Sequence, residues 1–140
     1  MADFPKSFPD CTIFLLAKAY QKAHGMFKKQ LQPDGLTNLQ HLVLEGLWYR
    51  EGQTAAELGK LLILDKATLS GILDRMVEAD WIHKALDSSD KRVVRLYPSA
   101  KAEAIKADLI EERVKANESL LSIFSVQEKV LLKRFLKDLI

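Results

Sequence analysis

The sequence predicts a mainly α-helical fold with one small β-hairpin, organised around residues 54–98. That segment has the pattern of two short helices joined by a tight turn, then a strand, a charged loop and a second strand. Apolar stripes at helical spacing occupy residues 12–32 and 99–140 on either side of it. This order is that of a winged helix-turn-helix, a DNA-reading unit, flanked by N- and C-terminal helices that can dimerise.

Capping residues mark the start of both short helices. Thr54 and Glu57 form a capping box before the first helix, and Asp65 caps the second. The second helix then places four apolar residues on one face, which we expect to be core: Leu69, Ile72, Leu73 and Met76.

The opposite face of the second helix carries small, hydroxyl and basic residues. Such a face lets the backbone approach a surface closely, as the N-terminal end of a recognition helix does in the major groove. The alternative is an ordinary solvated helix with a weak glycine. We predict that five residues contact the major groove or its adjacent phosphates: Lys66, Thr68, Ser70, Gly71 and Arg75.

The hairpin that follows concentrates positive charge. Residues 81–86 and 92–97 have strand-like composition, and the polar sequence DSSDK lies between them. Basic residues at a hairpin tip can reach phosphates or enter a minor groove. The basic residues of this hairpin are Lys84, Lys91, Arg92 and Arg95.

With this hairpin and the helices before it, the chain resembles the MarR family of bacterial transcriptional regulators. The resemblance runs through GLTNLQHLVLEGLW at 35–48, LLILDKATLSGILDRM at 61–76 and DSSDKRVVRLYPSAKA at 87–102. Asp90 and Arg92 match the Asp-any-Arg of the family's wing pattern. The Leu, Thr and Gly that end the pattern are replaced by Pro98, Ser99 and Ala102. Asp80 stands where the family usually has glycine, so we expect a left-handed backbone there.

The resemblance implies roles for the wing and the flanking helices. We expect Asp90 to orient Arg92 into a minor groove, while Lys84, Lys91 and Arg95 contact phosphates. In the family the N- and C-terminal helices interlock two chains, which implies a homodimer. The predicted organisation is one domain over 1–140, with dimerisation helices at 12–32 and 99–140 and a DNA-binding lobe at 36–98.

Composition supports a small globular protein. The 140 residues carry a net charge of +2, so positive charge is local to the hairpin instead of covering the domain. Cys11 is the single cysteine, which excludes a disulfide within the chain and a zinc cluster. No apolar run has membrane-spanning length and the first residues do not resemble a signal peptide. We therefore expect a cytoplasmic protein that does not bind membranes.

Capping boxes also mark the helices outside the DNA-reading unit. Thr37 with Gln40 starts a helix that runs to Arg50, Ser99 caps a long charged helix, and Ser125 with Glu128 starts the last one. The terminal helices offer more apolar surface than a small monomer readily buries. A two-fold partner is one explanation, and closure of one monomer's own core is the other.

Other candidate sites carry weaker patterns. Cys11 lies near the position of the reactive cysteine in the peroxide-sensing branch of the family, yet no Lys or Arg adjoins it to lower its pKa. The three histidines are scattered, with no metal-ligand spacing, and no catalytic set or cofactor fingerprint is present. We therefore predict no enzyme activity, no cofactor and no metal. Family clefts often bind small phenolic or aromatic compounds, which here implies a possible effector pocket with Tyr20, Trp48 and Tyr49, although such aromatics are more often core.

The sequence thus predicts a sequence-specific regulator, a homodimeric repressor of a pseudo-palindromic operator in double-stranded DNA, released by a small aromatic effector. Two alternatives remain open. One is a winged helix that has lost DNA binding and serves protein assembly, which the acidic Asp74 and Glu78 on the exposed helix face favour. The other is a DNA-binding redox sensor governed by Cys11.

Overall fold

The structure, a computed structural model, describes residues 7–140. Over that range the chain forms six α-helices and one two-stranded antiparallel sheet. The helices are α1 (Thr12–Leu31), α2 (Asn38–Tyr49), α3 (Ala55–Leu62), α4 (Lys66–Glu78), α5 (Ala100–Leu120) and α6 (Val126–Asp138), and the strands are β1 (Ile82–Leu86) and β2 (Val94–Pro98). The predicted mainly α fold with a β-hairpin wing is confirmed. Short 3-10 helices occupy Phe8–Asp10 and Gln32–Asp34. The two prolines and weak pattern of residues 1–10 predict an irregular arm, of which residues 1–6 lie outside the described part.

Helix starts follow the predicted capping residues. Thr37, Thr54 and Ser125 each accept a hydrogen bond from the backbone N–H three residues on, and the Gln or Glu at that position reaches back to the cap N–H. The Asp65 side chain caps α4 through the N–H of Thr68. These local bonds satisfy N–H groups that no intrahelical carbonyl can reach.

Both strands begin later than the sequence predicts. Trp81 lies outside β1 because its N–H donates to the Met76 carbonyl at 2.9 Å, completing the turn after α4. Arg92 lies outside β2 because the Val93 N–H donates to the Asp90 carbonyl at 3.0 Å. Arg92 therefore belongs to the turn at the wing tip. The strands pair from Ile82 opposite Pro98 to Leu86 opposite Val94.

The described chain divides into two compact units. One comprises the chain up to Phe27 with Glu111–Ile140, and the other is Lys28–Ile110. Every buried residue of the described chain lies in Lys28–Ile110, where α2, α3, α4 and the hairpin pack around Leu44, Leu47, Leu58 and Met76. A helix-turn-helix with its wing therefore has its own hydrophobic core.

The end of α4 is fixed by residues at the start of α5. Asp80 has φ 60°, the left-handed conformation that the sequence predicts. Its carbonyl accepts a 2.7 Å hydrogen bond from Ser99 Oγ, and Lys101 Nζ donates to the Ala79 carbonyl at 2.9 Å. Lys101 also lies over the Trp81 ring, with Nζ 4.0 Å from its centroid. These contacts satisfy carbonyls that the helix leaves free and hold the exit of α4 in place.

Candidate nucleic-acid interface

Asp65 organises the N-terminal end of α4. Its carboxylate accepts the Thr68 N–H at 2.8 Å and the Thr68 hydroxyl at 2.7 Å. These hydrogen bonds, led by the one from the backbone, lower the pKa of Asp65 below its ordinary value. Because the Thr68 hydroxyl donates to Asp65, Thr68 retains only its lone pairs as an acceptor for a bound partner.

The other predicted residues of α4 form an open face. Lys66, Ser70 and Arg75 are exposed. A methyl group at Gly71 would lie 3.8 Å from Nη2 of Arg75, so the Arg75 guanidinium lies beside the bare backbone of Gly71. The structure therefore brings a basic side chain to the small-residue surface that the sequence predicts.

A groove of about 540 Å³ separates α3 and α4 from the hairpin. Lys66 and Ser70 line it from α4, and Lys84 lines it from β1, so two predicted helix residues and one predicted wing residue share one surface. Lys84 Nζ is 3.7 Å from Oδ1 of Asp74 on α4, and the two side chains are 45% and 68% exposed. An exposed ion pair of this kind contributes little to stability, so the Lys84 ammonium can exchange partners.

Asp90 and Arg92 form a bidentate ion pair at the wing tip. Nε and Nη2 of Arg92 donate to Oδ1 and Oδ2 of Asp90, each at 3.0 Å, and the Arg92 N–H also donates to Oδ1. The Arg92 side chain is 91% exposed, so this pair orients a guanidinium that remains in solvent. Hydrogen bonds from Arg92 lower the pKa of Asp90, and the hydrogen bond to Asp90 raises the pKa of Arg92. Lys91 is exposed beside the pair.

Arg95 is placed differently from the other basic residues of the wing. Its Nε donates to Oδ1 of Asp87 at 2.7 Å and its Nη1 donates to the Gly52 carbonyl at 2.8 Å. The guanidinium is therefore committed on two sides inside the protein, which does not fit the phosphate contact predicted for Arg95. Gly52 and Gln53 are the residues that the sequence analysis missed, because nothing local signals a contact such as that between Gly52 and Arg95, which are 43 positions apart.

The three predicted pocket aromatics do not share one environment. Trp48 is buried in the Lys28–Ile110 unit, where its ring and that of His41 are T-shaped with centroids 6.5 Å apart. Tyr49 is exposed on α2, and Tyr20 is exposed on α1 in the other unit, 5.6 Å from the His24 ring. Among residues 7–140, the buried indole N–H of Trp48 has no hydrogen-bond partner.

The remaining candidate groups are the Cys11 thiol and the side chains that could bind a metal ion. Cys11 is an exposed free thiol just before α1. In the part of the chain that the structure describes, no group of three or more His, Cys, Asp or Glu could hold a metal ion. No helix within residues 7–140 combines the length and apolar character needed to cross a membrane.

Comparison with known proteins gives a uniform result. A model of the MarR family matches residues 36–94, from the end of the turn before α2 into β2. The regulator TtmR of Methylorubrum extorquens is 30% identical over 107 residues, which are 76% of this chain and 55% of TtmR. The chain thus spans little more than half of that relative. The transcriptional repressor NicR of Pseudomonas putida is 27% identical over 126 residues, covering 90% of this chain and 80% of NicR.

The same fold occurs in solved structures. A mutant MarR from E. coli, complexed with operator DNA, superposes with a TM-score of 0.84 at 24% identity, covering 100% of this chain and 99% of that one. At that identity the similarity establishes the winged-helix fold.

Proposed function

Because this chain belongs to the MarR family, we propose that it binds specific sequences of double-stranded DNA and regulates transcription. In this proposal α4 enters the major groove by its N-terminal end. Lys66, Ser70, Gly71 and Arg75 contact bases or adjacent phosphates there, and Thr68 contributes only as an acceptor. The wing places Arg92 in the neighbouring minor groove, while Lys84 and Lys91 contact phosphates.

The observation that carries this proposal is the arrangement of Arg92. Its guanidinium donates two parallel hydrogen bonds to the Asp90 carboxylate, and yet 91% of the side chain is exposed. An exposed ion pair contributes little to folding. A flat, permanently charged group that is oriented in advance loses less entropy when it enters a narrow, electronegative groove.

We propose further that the active form is a homodimer. In the unit formed by the chain up to Phe27 and Glu111–Ile140, none of the described residues is buried. Helix α6 and the residue that follows it expose a broad apolar surface, which includes Leu131, Phe135, Leu136 and Leu139. Helices without a buried side chain need a partner surface, and a second copy supplies one with two-fold symmetry.

A two-fold dimer has a consequence for the operator. Two symmetric α4 helices read two half-sites in opposite orientation, so the preferred site is an inverted repeat. Its half-site centres are about 10 to 10.5 base pairs, one helical turn, or a multiple of this apart. We extend the repressor assignment to this chain because the relative NicR is named a repressor.

Trp48 supports an effector site in the DNA-reading unit. A buried N–H without a partner costs about 1–3 kcal/mol, which a ligand that offers an acceptor recovers. We propose a small phenolic or aromatic acid, whose oxygen accepts a hydrogen bond from Nε1 of Trp48. Thermal shift with a panel of such acids tests this. Stabilisation of the wild type that is lost in Trp48→Phe supports it, and equal stabilisation of both proteins excludes Trp48 from the site.

Selection of bound sequences from random duplex DNA, with purified protein at defined salt, tests the main function. We expect an inverted repeat to be enriched, with an affinity that falls steeply as salt rises because several phosphates release counterions. The competing function is protein assembly, which the exposed acidic groups of Asp74 and Glu78 on α4 favour. A protein that enriches no sequence, and whose weak DNA binding does not depend on salt, has the competing function.

A further inference from the structure

The base of the wing is attached to the end of α2 through backbone and side-chain contacts. Gly52 N donates to the Leu96 carbonyl at 3.0 Å, and Leu96 N donates to the Gln53 carbonyl at 2.9 Å. Gln53 is itself buried, with Nε2 donating to the Gly46 and Arg50 carbonyls at the end of α2. The residues after α2 therefore form a fixed third segment beside β2.

One side chain extends this attachment to the wing loop. Arg95 spans from the Gly52 carbonyl to the Asp87 carboxylate with these two hydrogen bonds, and its side chain is 34% exposed. The other carboxylate oxygen of Asp87 accepts the N–H groups of Ser89 and Asp90 at 3.0 and 2.9 Å. The backbone of the loop is thereby tied to α2 through two side chains.

The series ends at the exposed guanidinium of Arg92. Asp90, whose N–H is held by Asp87, holds Arg92 with its carboxylate. We propose that Arg95 and Asp87 form a latch, anchored on Gly52, that positions Arg92 for DNA. In this role Arg95 acts through Arg92 and does not touch DNA itself. The inference rests on the proposed DNA-binding function and deepens it by assigning a positioning residue to the wing.

The chemistry of the latch needs an arginine. Two donors on one planar group reach a carboxylate and a carbonyl at once, whereas a lysine offers a single ammonium point. A phosphate contact makes the opposite demand, since a lysine preserves the charge that a phosphate attracts. Arg95→Lys therefore separates the latch from the phosphate contact that the sequence predicts.

The experiment measures operator affinity against salt concentration for the full chain, using the duplex selected by the wild type. The variants are Arg95→Met, Arg95→Lys and Asp87→Ala, with Lys91→Ala as the control for a phosphate contact. Thermal unfolding establishes that each variant is folded. We expect the first three variants to lose affinity about tenfold with unchanged salt slope. Lys91→Ala should reduce the magnitude of the salt slope by about 1.

A double-mutant cycle distinguishes positioning of Arg92 from a general structural role of Arg95. It compares the loss of operator affinity caused by Arg95→Met in the wild type and in an Arg92→Ala background. If Arg95 acts through Arg92, Arg95→Met should cost almost nothing in an Arg92→Ala background. An undiminished loss in that background overturns the proposal, as does wild-type affinity in Arg95→Met. If Arg95→Lys binds the operator normally and Arg95→Met has a reduced salt slope, Arg95 contacts a phosphate and the proposal is overturned. A wild type that binds no duplex overturns the proposed function itself, which distinguishes the two failures.

Discussion

At the scale of single residues, Ile63 stores strain in the turn of the helix-turn-helix. It ends α3 with φ 55° and ψ 49°, a left-handed conformation that a β-branched residue adopts at a cost. Its side chain is 65% exposed, so replacing it removes little packing. Ile63→Gly should raise the free energy of unfolding by about 1 kcal/mol, measured by urea denaturation.

Ile63→Ala is the matched control, because alanine keeps the Cβ that causes the strain. We expect Ile63→Ala to change the free energy of unfolding by less than about 0.5 kcal/mol. Asp80→Gly should raise the free energy of unfolding less than Ile63→Gly does, because aspartate tolerates the left-handed backbone region better than isoleucine. Equal stability of the glycine and alanine variants at position 63 would show that the conformation is not strained.

The wing tip gives a prediction in which geometry and charge counting disagree. Arg92→Ala should weaken operator binding by about 1–3 kcal/mol, more for sites with A·T-rich flanks. Asp90→Ala should weaken it too, because Asp90 holds Arg92, although the change removes a negative charge that faces DNA. Titration of the selected operator with each variant measures both effects. If Asp90→Ala binds more tightly and Arg92→Ala binds normally, the wing tip has no role in DNA binding.

At single residues of the DNA-reading unit, some features could be predicted from the sequence and others could not. The Asp90–Arg92 pair and the left-handed Asp80 could be predicted, because each depends on neighbours or on a position that the family pattern marks. The strain at Ile63 could not, since isoleucine disfavours that conformation and the helix-ending contacts impose it. The contact of Arg95 with Gly52 could not either, because folding alone brings together residues so distant in the chain.

At the scale of helices, two glycines that both lie inside a helix differ in their surroundings. A methyl group at Gly46 in α2 would lie 2.8 Å from Cδ1 of Leu58, which is fully buried, and 3.1 Å from Cδ2 of Leu62. At Gly25 in α1 nothing described lies within 4 Å. Gly46→Ala should destabilise by about 1–3 kcal/mol through overpacking of the α2–α3 contact.

Gly25→Ala is its control and should stabilise by about 0.5–1 kcal/mol, as alanine does in an open helix interior. Chemical denaturation of both variants gives the comparison. A Gly46→Ala variant that gains stability, as Gly25→Ala should, would show that the crossing of α2 and α3 is not close packed.

The hairpin gives a prediction for pH dependence. The hydrogen bond from Arg95, followed by those from the Ser89 and Asp90 N–H groups, lowers the pKa of Asp87 below its ordinary value of 3.8. A carboxylate whose pKa is lower in the folded state adds stability above its unfolded pKa and loses it as the pH falls through the folded one. At neutral pH, Asp87→Asn should therefore unfold at a lower temperature than the wild type. The difference should close as the pH falls below 3.8, and a difference that persists in acid would point to packing instead of charge.

The sequence predicted the starts of the helices better than the starts of the strands. All three capping boxes occur at the predicted residues, since capping depends on side chains three positions apart. Both strand starts were wrong, because Trp81 and Val93 use their N–H groups in turns that composition does not show.

At the scale of the whole molecule, the sequence marks elements better than it marks packing. The predicted lobe covers residues 36–98, whereas the compact unit with the core is Lys28–Ile110. Leu31 of α1 and Leu109 of α5 are buried in that unit. A repeating apolar stripe predicts a continuous helix, but it does not indicate where along the helix burial ends.

The last prediction concerns association of two chains. Leu136 on α6 and Leu139 directly after it are exposed, on the apolar face that we propose to be covered by a second copy. Replacing both with Asp would bury unpaired charges in that interface, which costs on the order of several kcal/mol. Sedimentation velocity should show a dimer for the wild type at micromolar concentration and a monomer for the double variant. Lys137→Gln on the same helix changes the charge by one unit, as each Leu→Asp does, but it removes no apolar side chain, and it should remain dimeric. A monomeric wild type, or a double variant that still sediments as a dimer, would mean that this face of α6 is not the interface.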